Sequence, residues 1–386
     1  MDYFLTEEQQ MIKDLARRIA DEKIAPKAAY YDETGEFPWD MMKILAESDL
    51  FGVYLPEEYG GMGGGVFEQC LVVEELSRAC SGVAVSYAAS GLGCSPILVL
   101  GTEEQKKKYI PQIASGKKLA AFGATEANAG SDLASMETTA KLDGDEYVLN
   151  GTKQWITNGG EAEIYTVMAV TDKSKGPRGI SCFIVEKGTP GFTFGKKENK
   201  MGIRASATRE LIFDNCRVPK ENLLGGKEGI GFIATMRTFD RTRPGIGAQA
   251  IGIAQGALDV AVKYSRERVQ FGKSISTFQG LQFMLADMAT QLEAARALVY
   301  ATARMIDAGA KNFSKESAMC KYFASDTAMK VATDAVQVLG GYGYMKEYPV
   351  EKMMRDAKIT QIYEGTNQIQ RQIVALELIK ESASKR

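Results

Sequence analysis

The sequence contains no histidine in 386 residues, and this absence excludes two large classes of enzyme chemistry. A Ser-His-Asp or Cys-His hydrolase needs an imidazole base, and histidine-ligated zinc or iron sites need imidazole ligands. Any proton transfer must therefore fall to a carboxylate, tyrosine, lysine or cysteine side chain. The sequence predicts no metal site.

Cysteine, net charge and long apolar runs are also scarce. The six cysteines are scattered without a Cys-x-x-Cys pair, which is typical of buried thiols in a reducing compartment. Lysine plus arginine total 47 against 49 aspartate plus glutamate, so no overall field favours nucleic acid or an anionic membrane. No unbroken apolar run reaches about 18 residues, and no cleavable leader is apparent. We expect a soluble, cytoplasmic protein without membrane insertion or a nucleic-acid partner.

Periodicity divides the chain into helical, β-rich and helical segments. In the first, Thr6 and Gln9 form a capping-box pattern ahead of an apolar helix face. In the last, apolar residues from Leu281 to Ile306 alternate steps of four and three, the seam of a bundled helix. The pattern predicts an α+β fold with an N-terminal helical domain, a small middle β-barrel or sheet domain and a C-terminal four-helix bundle. The predicted domains are residues 1–120, 121–227 and 228–386.

Three glycine clusters invite a nucleotide-binding interpretation, at residues 59–65, 245–247 and 340–343. None has the strand-turn-helix spacing of a dinucleotide-binding loop, and the sequence has no Gly-Lys-Ser/Thr phosphate loop. For the first two we favour a plain loop or close helix packing. The third follows a helical run over residues 332–339, where paired glycines would let a ligand approach the backbone.

Four motifs occur in order along the chain, and together they resemble the acyl-CoA dehydrogenase family. Two are similar to its flavin loops, one set to its adenine-side contacts, and the last to its C-terminal signature. The resemblance covers essentially the whole chain and implies FAD as cofactor. The motifs are residues 122–132 (FGATEANAGSD), 153–158 (KQWITN), 266–272 (RERVQFG) with Phe278 and Gln279 and then 337–341 (QVLGG), and 354–371 (MRDAKITQIYEGTNQIQR).

The resemblance implies two groups of FAD contacts. At strand ends of the β domain, hydroxyls and backbone N–H groups would bond the isoalloxazine edge while aromatic rings pack on its faces. On the other side, Arg268 offers a permanent cation to the diphosphate. Taken singly, these residues are also explained as core aromatics, strand threonines or a solvated arginine. The implied cofactor-binding residues are Phe122, Thr125, Ser131, Trp155, Thr157, Arg268, Phe271, Gln279, Gln337, Gly340, Gly341, Thr366 and Gln368.

The resemblance also implies partners. In the family, the residues equivalent to Arg268, Gln337, Gly340 and Gly341 reach FAD across a subunit interface, so cofactor binding would require an oligomer. A homotetramer, built as a dimer of dimers, is implied. The expected electron acceptor is an electron-transferring flavoprotein.

Glu364, in the Tyr-Glu-Gly turn of the C-terminal signature, is the candidate catalytic base. The α-hydrogen of a thioester is weakly acidic, so its removal needs a base at hydrogen-bond distance, and burial raises the pKa of a carboxylate toward that task. A surface glutamate at a helix end is the alternative. The resemblance implies that Glu364 takes a proton from Cα while a hydride leaves Cβ for the flavin, giving a trans-2-enoyl-CoA.

Some relatives with branched or long substrates carry the base in the stretch 239–243 (FDRTR). Here that position is Thr242, which cannot act as a base. For Asp240 and Arg243 an intrahelical ion pair is the alternative to substrate contact. Small residues over 84–96 suggest an acyl tunnel with room for a wide or branched group. Substrate contacts are implied for Ser131, Asp240, Arg243 and Gly365.

Several functions stay open within the same fold. They include an enoyl-CoA reductase running in the opposite direction and a dehydrogenase of cyclic, aryl or dicarboxylic acyl-CoA. An acyl-CoA oxidase is disfavoured because such relatives usually carry an extra C-terminal domain. A catalytically idle helical scaffold is disfavoured by the intact Glu364, Arg268 and flavin motifs.

Overall fold

The computed structural model describes residues 3–384, and the segment before the sheet is helical. Thr6 and Thr102 each begin a helix with a reciprocal capping box, in which the hydroxyl accepts a bond from the backbone N–H three residues on. The helix that Thr6 caps buries Ala16 and Ile19 against the core. The helices are α1 Glu7–Ile19, α2 Ala28–Thr34, α3 Trp39–Glu47, α4 Val66–Leu100 and α5 Glu103–Ala114.

Helix α4 is 35 residues long and continues through a kink near its middle. Cys80 has extended backbone angles (φ −157°, ψ 105°) inside the helix, and helical structure then resumes as far as Leu100. This second half packs tightly on the sheet. A methyl group added at Gly93 would lie 2.5 Å from the backbone nitrogen of Ala121, so only glycine permits this approach.

The middle segment forms one seven-stranded mixed sheet. Its strands are β1 Ala120–Gly123, β2 Thr139–Asp143, β3 Glu146–Thr157, β4 Ile164–Val170, β5 Ile180–Glu186, β6 Phe192–Phe194 and β7 Thr208–Pro219. Strand β4 lies between parallel β1 and antiparallel β5, and β3 pairs antiparallel with β2 and β7. Both β4 and β5 are buried almost throughout, which explains why they are continuous apolar runs.

A β-bulge interrupts the pairing of β3 with β7 between Lys153 and Ile156. Within it, Trp155 has a left-handed φ of 56°, and its side chain is 57% exposed. Bulges re-aim side chains in this way. The second flavin-loop motif therefore presents an aromatic ring at the surface of the sheet.

The chain beyond the sheet is mostly helical. It contains α6 Gly231–Glu267, the hairpin β8 Val269–Gln270 and β9 Lys273–Ser274, then α7 Gln279–Asp307, α8 Ser314–Leu339, α9 Val350–Thr360 and α10 Asn367–Ser384. Helix α6 packs against α4, α7 and α8, and α10 packs against α8. The predicted α, β, α architecture with a C-terminal helical bundle is confirmed. The small hairpin was not predicted.

Two core helices bear on the membrane prediction. Helices α4 and α6 are long and apolar enough to cross a membrane, with mean hydropathy of 1.7 and 1.3 in their most apolar windows. However, 72% and 67% of those windows are buried inside the fold, as in core helices of water-soluble proteins. All six cysteines are buried and unpaired, as the sequence predicted.

Candidate active site

Glu364 lies in the turn formed by residues 361–366, between α9 and α10. Glu364 and Gly365 have φ of 50° and 90°, so two successive residues are in the left-handed region. Glycine adopts this conformation readily, but glutamate does so only where surrounding contacts hold it. The turn therefore depends on the elements packed around it.

The carboxylate of Glu364 is bound to α6. Thr242 Oγ1 donates a hydrogen bond to Glu364 Oε2 at 2.7 Å, whereas Oε1 accepts none from residues 3–384. Burial raises the pKa of Glu364, while the Thr242 hydrogen bond and the positive charges of Arg243 and Lys321 act in the opposite direction. The carboxylate is thus on a half-buried residue, tethered through one oxygen and open at the other.

Asp240 and Arg243 were expected to contact substrate, with an intrahelical ion pair as the alternative interpretation. The structure shows this ion pair along α6. Arg243 Nη1 lies 2.6 Å from Asp240 Oδ1, and the arginine is almost fully buried. Ser314 on α8 donates to the same carboxylate oxygen at 3.1 Å. Burial lowers the pKa of Arg243, and the charges of Asp240 and Glu364 oppose that effect. The guanidinium therefore acts electrostatically on Glu364.

Two side chains that the sequence analysis did not single out hold the turn. Lys321 Nζ on α8 donates to the carbonyl oxygen of Gly365 at 2.8 Å and to Asn367 Oδ1 at 3.0 Å. Gln370 Nε2 on α10 donates to the carbonyl oxygens of Glu364 and Gly365 at 3.1 Å each. The sequence offered one signal for these two residues: a lysine and a glutamine stand at positions that helical periodicity assigns to the core.

A cavity of about 20 Å³ lies beside Thr242, with room for roughly one water molecule. Gly91, Cys94 and Ser95 of α4 line one wall, but the cavity does not show the room for a wide or branched group that the small residues suggested. The hydroxyls of Tyr54 and Ser95 are buried there, and neither has a hydrogen-bond partner in the described part of the chain. The cavity is narrow because Gln69 fills it: a methyl group added at Gly91 would lie 2.3 Å from Gln69 Nε2.

A buried ion pair joins the two flavin-loop motifs of the β domain. Lys153 Nζ lies 2.7 Å from Glu126 Oε1 and also donates to the carbonyl oxygen of Ala124 at 3.2 Å. The backbone N–H of Gln154 donates to the carbonyl oxygen of Thr125 at 2.8 Å. Motifs separated in sequence are therefore fixed side by side at the end of β1.

The other predicted residues of these motifs differ in exposure. Phe122 is buried on β1, and its ring contacts that of Phe239 on α6 edge to face, with centroids 5.8 Å apart. Thr125 and Thr157 are half-buried, whereas Ser131 is exposed. Phe122 thus connects the flavin loops to the helix that binds the Glu364 carboxylate.

A second cleft, of about 510 Å³, lies in the C-terminal helical region. Arg268, Gly340 and Gly341 line it together, and the Arg268 guanidinium lies 5.3 Å from the ring centroid of Tyr342. A methyl group added at either glycine would meet no atom within 4 Å, so the backbone is open to a ligand. The other predicted ADP-side residues, Phe271, Gln279, Gln337 and Gln368, are exposed, and Thr366 is half-buried at the start of α10.

The predicted residues therefore fall into three groups. The first is the Glu364 turn with its partners on α6, the second is the joined pair of flavin loops, and the third is the Arg268 cleft. The residues that line this cleft lie between Tyr264 and Met345. Within one chain, it is thus built from the C-terminal helical region.

Models of one family match most of the chain. The acyl-CoA dehydrogenase N-terminal domain matches residues 6–117, the middle domain 121–216 and the C-terminal domain 229–379. The acryloyl-CoA reductase (NADH) of Anaerotignum propionicum is 51% identical, covering 98% of this chain and 96% of that protein.

Solved structures agree with this match. The butyryl-CoA dehydrogenase of Megasphaera elsdenii is 49% identical, with a TM-score of 0.95 over 98% of this chain and 100% of that one. A chain in a structure described as the electron transferring flavoprotein of Acidaminococcus fermentans is 55% identical, with a TM-score of 0.96 over 98% and 99%.

The chain belongs to the acyl-CoA dehydrogenase family. It is a flavoprotein oxidoreductase that acts on acyl-CoA, and its cofactor is FAD. The residues present fit that cofactor. Arg268 and the open glycine backbone suit a diphosphate, and the exposed Trp155 ring beside half-buried threonines suits a flavin ring.

Replacing Thr242 by valine is expected to raise the pKa of Glu364 further, because the hydroxyl stabilises the ionised carboxylate. Infrared titration of the carboxyl band, as a difference against the Glu364→Gln protein, measures this directly. Thr238→Val on the same helix is the matched control, since the Thr238 hydroxyl has no hydrogen-bond partner among residues 3–384. An unchanged titration in Thr242→Val would contradict the tether.

Proposed function

We propose that the protein catalyses the α,β-dehydrogenation of a short, straight acyl-CoA to the trans-2-enoyl-CoA, with Glu364 as the base. The observation that carries this proposal is the half-buried carboxylate of Glu364, which Thr242 binds through one oxygen while the other stays open. A family of flavin-dependent oxidoreductases that act on acyl-CoA supplies the reaction class.

In this proposal Glu364 removes the α-proton of the thioester. Burial makes the carboxylate more basic, and the Arg243 and Lys321 charges favour its ionised form before the reaction. Because Thr242 fixes Oε2, Oε1 can accept the proton without reorientation of the side chain. Bound FAD supplies the acceptor for the hydride that leaves Cβ, so the substrate loses H⁺ and H⁻ and gains a double bond.

Residues from two groups would hold FAD. Phe122, Thr125, Trp155 and Thr157 would contact the flavin ring, and the residues of the Arg268 cleft would bind the diphosphate and adenine side. In this family the residues equivalent to Arg268, Gly340 and Gly341 reach FAD across a subunit interface, which favours a cofactor shared between two subunits within a homotetramer. The 93% exposed ring of Phe271 at the hairpin turn offers an apolar surface for a second copy.

Electron acceptor, direction and location are also proposals. The 55% identical chain in the electron transferring flavoprotein structure favours such a flavoprotein as acceptor. The 51% identical acryloyl-CoA reductase favours reduction of an enoyl-CoA as the second candidate function. In that direction Glu364 would return a proton to Cα. A cytoplasmic location is consistent with six unpaired, buried cysteines.

The proposed acyl length rests on the cavity beside Thr242. The Gln69 side chain lies against its wall at Gly91, where an added methyl group would be 2.3 Å from Gln69 Nε2. A long or branched chain would have to displace that side chain. The cavity therefore favours short, straight acyl groups, as in the named butyryl-CoA dehydrogenase relative.

Glu364→Gln is expected to retain FAD and to bind acyl-CoA, but to lose about 10²- to 10⁴-fold in turnover, because the amide cannot accept the α-proton. Bleaching of the yellow flavin by butyryl-CoA measures the reductive step. Glu347→Gln, an exposed change between α8 and α9, is the control. Near-normal bleaching in Glu364→Gln would move the base elsewhere.

Arg268→Ala is expected to weaken FAD retention by about tenfold or more, because a buried diphosphate would lose its fork of donors. Flavin content after gel filtration measures the effect, with subunit assembly recorded in the same run. Arg266→Ala, an exposed arginine on the same helix end, serves as the comparison. Equal flavin content in the two variants would refute the diphosphate assignment.

Gln69→Ala is expected to raise the ratio of kcat/KM for hexanoyl-CoA over butyryl-CoA by about tenfold, because it opens the wall at Gly91. Gly91→Ala should change the ratio in the opposite direction, since its methyl group narrows the same wall. Steady-state rates over a series of straight and branched thioesters give both ratios. The same chain-length preference in all three proteins would mean that this cavity does not hold the acyl group.

A further inference from the structure

The carbonyl oxygen of Gly365 is the most firmly held atom of the turn that carries Glu364. It accepts hydrogen bonds from Lys321 Nζ at 2.8 Å and from Gln370 Nε2 at 3.1 Å. Lys321 also donates to the side-chain oxygen of Asn367, whose amide nitrogen donates back to α8. One ammonium group thus links α8 to the turn and to the first residue of α10.

Burial makes a lysine unusual at this position. The Lys321 side chain is fully buried, and no carboxylate of residues 3–384 forms an ion pair with it. Two other buried lysines do have such a partner, Lys153 with Glu126 and Lys352 with Asp356. A buried ammonium without a direct ion pair is costly, whereas an apolar side chain of similar length would fill the space at no such cost. Packing alone therefore does not explain Lys321.

Three charged groups face Lys321: Glu364 on the turn, Asp326 on α8 and Arg243 on α6. Burial is the largest effect and lowers the pKa of Lys321 to about 7. The two carboxylates favour its charged form, and Arg243 disfavours it. Reciprocally, the Lys321 charge lowers the pKa of Glu364. The charge of each group therefore favours the ionised form of the other.

We propose that Lys321 is a positioning residue for the base. By binding Gly365 and Asn367, it fixes the left-handed turn in the geometry that brings the Glu364 carboxylate to Thr242, and its charge favours the ionised carboxylate before proton transfer. This inference rests on the role proposed above for Glu364. It assigns Lys321 an effect on the pH at which Glu364 takes up a proton, which a purely structural residue would not have.

Lys321→Met tests both effects. We expect FAD content and KM to stay within about threefold of wild type, and kcat to fall about 10- to 100-fold, because the carboxylate is no longer held in place. The acid limb of the kcat/KM profile should move to higher pH, because loss of the positive charge raises the pKa of Glu364. Lys321→Gln keeps a hydrogen-bond donor without the charge. It should recover part of kcat while the acid limb stays displaced.

Lys352→Met is the matched control, since it removes a buried lysine that pairs with Asp356 on α9. It should lower thermal stability without moving the acid limb. Infrared titration of Glu364 gives a readout without turnover, and the carboxyl band should titrate at higher pH in both Lys321 variants.

An unmoved infrared titration and acid limb in the Lys321 variants would overturn the proposal, as would a loss of kcat that lower FAD content fully explains. Should Lys321→Met not fold, the infrared titration and the acid limb of Lys321→Gln test the proposal instead. Activity retained in Glu364→Gln would instead defeat the proposed function. The infrared titration would still show whether Lys321 controls this carboxylate.

Discussion

The partial removal of the Glu364 carboxylate from water is the constraint on which the rest of the candidate site depends. A general base must be ionised before the reaction and still basic enough to take a proton from carbon. Burial supplies basicity and opposes ionisation, while the Thr242 hydrogen bond and the charges of Arg243 and Lys321 restore the balance. These groups come from α6 and α8. The pKa of Glu364 therefore depends on how α6 and α8 pack around it.

A buried lysine that donates to a backbone carbonyl oxygen holds each of the two functional loops of the molecule. Lys153 donates to the carbonyl oxygen of Ala124 in the first flavin loop, and Lys321 donates to that of Gly365 in the Glu364 turn. The difference between them is informative. Lys153 has Glu126 at 2.7 Å, so its charge is neutralised locally and the link is structural. Lys321 has no such partner in the described chain, and its charge acts on the carboxylate of Glu364.

The order of domains and most elements could be predicted because periodicity and turn residues are local properties. The kink of α4 could not, since Cys80 has extended backbone angles inside an otherwise helical stretch without a local signal for them. Motif likeness located Glu364, and residue chemistry excluded Thr242 as a base. That its hydroxyl binds the carboxylate depends on a contact between α6 and a turn more than a hundred residues later. Lys321 was missed for the same reason, because a buried lysine in an apolar pattern has no local signature that names its partner.

The proposed sharing of FAD between subunits connects cofactor binding to assembly. If FAD spans two subunits as proposed, neither subunit alone offers both the flavin loops and the diphosphate cleft to one cofactor. Each bound cofactor then stabilises the interface, and each interface stabilises the cofactor, by mutual linkage. The exposed ring of Phe271 lies at the hairpin next to Arg268, where an apolar surface and a cation would be covered together. In this proposal the small hairpin, which no periodicity predicted, is the place where the cofactor and the partner subunit meet.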